Sequence, residues 1–198
     1  MAIELPLWIY WAFCGVAAVL LWANRPFALS LLSPEAGSSR QGYPLALGLG
    51  WGATLATAAI YVLFTVKTLE GPYRIPDLAL FSLLNGVLEQ VMFVLWFLLG
   101  CYLARQWFPE RPLWGFASGY FSYVIYSGLI HPFFWFAVLP EHEPFLPMVM
   151  ILPLMSFFWM WLYWRYQDLL GIIAMHIVID WITVGHLHFP WFESIQIA

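Results

Sequence analysis

The stretch Leu78-Ala79-Leu80-Phe81-Ser82-Leu83-Leu84-Asn85-Gly86-Val87-Leu88-Glu89-Gln90-Val91-Met92-Phe93-Val94-Leu95-Trp96-Phe97-Leu98-Leu99-Gly100-Cys101-Tyr102-Leu103-Ala104 decides the fold. It holds one charged side chain, Glu89, in the middle of a run of apolar residues. At 1.5 Å of rise per residue such a run crosses the ~30 Å hydrocarbon core of a bilayer. A soluble helix of this length needs a polar face for water, and this one offers none.

The rest of the chain reads the same way. Of 198 residues, 63% are apolar and 9% are charged, against roughly a quarter charged in soluble domains. Apolar stretches at 5–23, 44–66, 78–104, 114–139, 147–164 and 169–186 predict an all-α, polytopic bundle of about six transmembrane helices, with 1–198 forming a single integral membrane domain. The lipid bilayer is then its solvent. The net charge of −4 argues against nucleic acid as a partner. Cys14 and Cys101 both fall in apolar runs and read as buried thiols. No basic segment precedes the first run, so that run is expected to remain as a helix rather than leave as a signal peptide.

Orientation follows the basic residues. Arg25, Arg40, Arg105, Arg111 and Arg165 fall in loops one, three and five, whereas Lys67 and Arg74 fall in loop two. This bias predicts loops one, three and five in the cytoplasm, both termini outside, and residence in the cell's inner membrane. The Phe27–Leu32 piece of loop one and the tail from His186 onward read as interfacial segments.

Charged and ionisable groups inside spanning helices are costly and usually functional. Four stand out: Glu89, His131, His176 and Asp180. Counted from the ends of their stretches, all four lie about 9–17 Å below the same surface. His176 and Asp180 are four residues apart and share one helix face. A buried carboxylate beside an imidazole can hold and deprotonate water. A second imidazole can stabilise an oxyanion or deliver a proton. The same groups can also simply neutralise one another and fix helix register. Asn85, one turn before Glu89, is placed to hydrogen-bond it or to bridge helices. Ser127 shares a face with His131 and reads as a small packing residue touching the site. Pro132 is expected to loosen the helix after His131.

Two further patterns read as structural. Glu141-His142-Glu143 is a solvated acidic loop rather than a metal tripod. Gly48 and Gly52, one turn apart, read as a close-packing surface in the second helix. No cofactor and no metal are expected.

The ordered pieces Leu88-Glu89-Gln90-Val91-Met92-Phe93-Val94, Tyr126-Ser127-Gly128-Leu129-Ile130-His131 and His176-Ile177-Val178-Ile179-Asp180 resemble a known family. It is the CAAX protease and bacteriocin-processing (CPBP, or Abi) group of glutamic-type intramembrane endopeptidases. The resemblance covers residues 78–181. It implies that Glu89 and His131 activate water and that His176 and Asp180 stabilise the oxyanion. Read from the residues themselves, Asn85, Gln90 and Ser127 are the supporting side chains. The substrate would be a membrane-embedded or lipid-anchored protein. Three family positions differ: the second Glu of the pair is Gln90, the Arg is Val94, and the Phe is Ser127. A catalytically inactive accessory or assembly subunit of a larger membrane complex is therefore the alternative. A haem or pigment protein ligated through His131 and His176 ranks third.

Overall fold

The computed structural model describes residues 5–64, 74–138 and 146–188. Among them the structure is helical, with no strand. The order is α1 (Leu5–Ala23), α2 (Arg25–Ser30), α3 (Tyr43–Phe64), α4 (Ile75–Trp107), α5 (Pro112–Ile130), a π-helical turn (His131–Trp135), α6 (Phe136–Val138), α7 (Leu146–Tyr166) and α8 (Leu169–His188). Glu141-His142-Glu143, Lys67 and the tail after His188 lie outside the described residues.

Among the described residues four helices, α1, α3, α4 and α8, are long and apolar enough to cross a membrane. The molecule is thus an all-helical membrane protein. The other two apolar stretches also form helices, α5 and α7, but neither is among those four. Their sequences explain why. The α5 run is diluted by Gly, Ser and Tyr, and α7 carries Trp159, Trp161, Trp164 and Pro153. Trp and Tyr suit an interface better than the hydrocarbon centre.

Helix α4 is the hub, packing on α1, α5 and α8, while α3 packs on α7 and α8. Half of α4's most apolar window is buried inside the protein, against 28% for α1. The outer faces carry Leu5, Phe13, Val19, Leu55, Phe121 and Leu170 exposed. The interior holds Asn85, Glu89, Gln90 and His176 buried. Apolar outside and polar inside is the distribution lipid selects, because a buried polar group is affordable only where protein satisfies it.

Close helix approach rests on glycine at two crossings of α4. A Cβ on Gly86 would meet the Ile177 backbone nitrogen of α8 at 2.8 Å, and one on Gly119 of α5 would meet the Phe97 carbonyl oxygen at 2.8 Å. Gly100 abuts the backbone of Ser118 and Gly119 in the same crossing. In α3 the sequence reading needs correction. Gly48 and Gly52 have nothing within 4 Å of an added Cβ, whereas Gly50 faces Leu162 and Met175. The packing glycine is the one between the two named, because only it points inward. Gly119→Ala is expected to destabilise the protein by about 1–3 kcal/mol, since backbone rather than a flexible side chain must give way. Gly48→Ala should be neutral or slightly stabilising. Thermal unfolding in one detergent compares the pair directly.

The end of the bundle holding the α4 C-terminus is basic. Arg105 donates to the Ser30 carbonyl at 2.6 Å, Arg165 pairs with Glu35, and Arg40 lies 4.9 Å from the Tyr43 ring. Trp22, Trp107 and Trp114 are exposed at the same end. The α7–α8 turn closes through Gln167, whose φ of 56° is left-handed. Its side chain repays the strain by donating to the Ala36 carbonyl at 3.1 Å. Asp168 then caps α8 through the Gly171 amide at 2.9 Å and accepts from the Tyr43 hydroxyl at 2.9 Å.

Candidate functional site

Glu89 sits at the middle of α4 with only 2% of its surface exposed. Its carboxylate is fully occupied by protein groups. Oε1 accepts from the Tyr10 hydroxyl at 2.7 Å and the Trp135 indole at 2.9 Å. Oε2 accepts from Asn85 Nδ2 at 2.9 Å and lies 3.5 Å from His176 Nε2. A carboxylate has about four acceptor positions, and here four groups from four elements fill them.

Asn85 is the keystone of the polar cluster. Its Nδ2 donates to Glu89 Oε2 and to Asp180 Oδ2, each at 2.9 Å, while its Oδ1 accepts from the Trp11 indole at 3.1 Å. The orientation is fixed chemically: a flipped amide would aim its oxygen at two carboxylates and its nitrogen at an indole N–H. One uncharged side chain thus holds the buried Glu89 carboxylate and the part-buried Asp180 carboxylate together.

His176 lies between the acids. Nε2 is 3.5 Å from Glu89 Oε2 and 3.7 Å from Asp180 Oδ1, while Nδ1 is 3.0 Å from Gln90 Oε1. Every neighbour is an acceptor, an arrangement that suits a ring protonated on both nitrogens. The imidazole also stacks on Phe93 at 5.7 Å between centroids. The oxyanion-pair expectation is modified here. Asp180 does not orient the ring from behind, through Nδ1. It shares the Nε2 side with Glu89, and Gln90 orients the ring instead. Gln90 is fully buried, and its Nε2 has no hydrogen-bond partner among the described residues.

His131 is the displaced member. Its Nδ1 pairs with the Ser127 carbonyl at 2.7 Å, one turn back on its own helix. No hydrogen bond or ion pair joins it to Glu89 among the described residues, although the two groups interact electrostatically. Pro132 explains the geometry. It supplies no N–H, and the chain widens into the π turn His131–Trp135. A π turn rotates the residues after it relative to a regular helix, and here Trp135 rather than His131 reaches the carboxylate. Ser127 is buried and contributes its carbonyl rather than its hydroxyl.

Thus the structure brings together Glu89, His176, Asp180, Asn85 and Gln90 from the sequence reading. It adds Tyr10, Trp11, Trp135 and Tyr126, the last through a 3.1 Å hydroxyl contact with Tyr10. No group of three His, Cys, Asp or Glu side chains is disposed to hold a metal ion among the described residues.

The site defines a class of membrane protein: a helical bundle with a buried Glu–His–Asp cluster near mid-span. Comparison with protein-family models, curated proteins and solved structures gives no match to this chain.

Proposed function

We propose that this chain is an intramembrane endopeptidase of the glutamic type, with α5 and α7 completing six crossings and the arginine-rich end in the cytoplasm. The observation that carries it is the 3.5 Å approach of Glu89 on α4 to His176 on α8, with Asp180 beside them, inside a lipid-facing bundle. The resemblance to the CPBP family assigns the same residues this chemistry.

In this reaction Glu89 takes a proton from water as the oxygen attacks a peptide carbonyl carbon. The N–H of His176 and the free amide of Gln90 donate to the oxyanion. The proton passes from Glu89 to the amide nitrogen, the C–N bond breaks, and a carboxylate and an amine leave. The substrate is a membrane-embedded or lipid-anchored protein.

The occupied carboxylate marks the state described as a resting one. Water can reach Glu89 only if a donor withdraws. Tyr10 is the donor with somewhere to go, since Tyr126 Oη lies 3.1 Å away, and α1 is the least buried of the four spanning helices. Tyr10→Phe is therefore expected to speed processing by about three- to tenfold, the value of one released hydrogen bond near 1 kcal/mol. Pulse-chase of a processed membrane protein measures this. A fall in rate would show instead that Tyr10 is needed to position Glu89.

The test of the proposal is Glu89→Gln in the native membrane, read by mass spectrometry of membrane proteins. Uncleaved precursors should accumulate at a normal level of the variant protein. One observation favours a second reading, that of a non-catalytic subunit: the same four donors that saturate Glu89 would also suit a purely structural carboxylate. If nothing accumulates in Glu89→Gln, that reading takes its place.

A further inference from the structure

A cavity of about 430 Å³ opens at the basic end of the bundle, between the segment after α2, the last turn of α4 and the α4–α5 connection. It is remote from Glu89, and its chemistry is independent of hydrolysis. Arg105 and Arg111 line it together with Glu110, Ser33, Leu29 and Phe108. Arg105 uses one N–H on the Ser30 carbonyl, at 2.6 Å, and the rest of its guanidinium has no acceptor among the described residues. The Arg111 and Glu110 side chains make no hydrogen bond or ion pair among the described residues, and both are exposed.

Two guanidiniums with unused donors are suited to a phosphate group, which takes parallel N–H bonds from each. Glu110 narrows the choice. With one carboxylate beside two guanidiniums the cavity carries a single net positive charge, which matches a singly charged phosphodiester better than a doubly charged free phosphate. Leu29 and Phe108 add apolar wall for the glycerol and first acyl carbons. The exposed Trp107 and Trp114 place this end of the bundle at the level of lipid head groups. The volume lies within the range of small-ligand sites, about 300–1,000 Å³.

We propose that this cavity is a binding site for the phosphodiester head group of an anionic phospholipid, held between Arg105 and Arg111.

The experiment is thermal unfolding of the full chain in a neutral detergent, with added phosphatidylglycerol, phosphatidylcholine or inorganic phosphate. Phosphatidylglycerol should raise Tm by roughly 2–8 °C, and the other two should leave it unchanged. Arg111→Gln removes no hydrogen bond or ion pair among the described residues, so its own Tm should equal that of the wild type while the lipid shift falls by half or more. Arg105→Lys keeps the charge but loses the fork, and it should weaken the shift as well. An equal shift with phosphatidylcholine, or one undiminished in both variants, would overturn the site. An equal shift with inorganic phosphate would overturn the lipid as its occupant and assign the cavity to a soluble phosphate compound.

Discussion

Asn85→Leu is expected to destabilise the fold by about 3–5 kcal/mol, near the largest effect available to one substitution. The change keeps volume and apolarity, so a packing account alone would predict little. The cost comes from what Asn85 does: one N–H to Glu89, one to Asp180, and an oxygen for the Trp11 indole. Without it the Glu89 and Asp180 carboxylates face each other with a single imidazole between them. Unfolding in detergent, followed by Trp fluorescence, measures the loss. Adding Asp180→Asn should recover part of it, because the repulsion is then gone and the two changes are coupled. A Tm for Asn85→Leu within a degree or two of the wild type would show that the cluster is not held through this amide.

The second large effect separates the two histidines. His176→Ala should cost about 3–5 kcal/mol, because it strips from Glu89 and Asp180 the one imidazole that, among the described residues, lies within ion-pair distance of both. His131→Ala should cost about 1 kcal/mol or less, since among the described residues the ring's one hydrogen bond is to the Ser127 carbonyl of its own helix. The comparison is made on matched samples by chemical unfolding. Equal costs would mean that His131 shares the carboxylates in solution and that the π turn reorganises.

Much of this was readable in the chain. Counting residues from the helix ends put Glu89, His131, His176 and Asp180 at one depth; the structure brings Glu89, His176 and Asp180 within ion-pair distance, while His131 bonds the Ser127 carbonyl instead. Asn85 was readable too, because a one-turn spacing on a helix leaves few other partners. The contributions of α1 were not. Tyr10 and Trp11 are uncharged aromatics in an apolar run, and such residues more often face lipid or core than a carboxylate. Trp135 was not legible either, because a helix loosened after His131 does not say which later side chain the widened turn aims at the carboxylate. Pro132 was the available signal, since a residue without an N–H invites a π turn. The orientation of His176 was legible only halfway: its spacing to Asp180 fixed the shared face but not which ring nitrogen Asp180 would meet. In α3 the one-turn spacing singled out Gly48 and Gly52, yet helix rotation turns Gly50 inward and those two outward.

The most direct test of the central claim uses water labelled with heavy oxygen. Precursors that accumulate with Glu89→Gln are reconstituted in vesicles with purified wild-type protein, and the fragments are read by mass spectrometry. The account predicts cleavage with one labelled oxygen in the new terminal carboxylate, and none when Glu89→Gln replaces the wild type. Intact precursors with the wild-type protein, or labelled fragments produced equally well by Glu89→Gln, would contradict it.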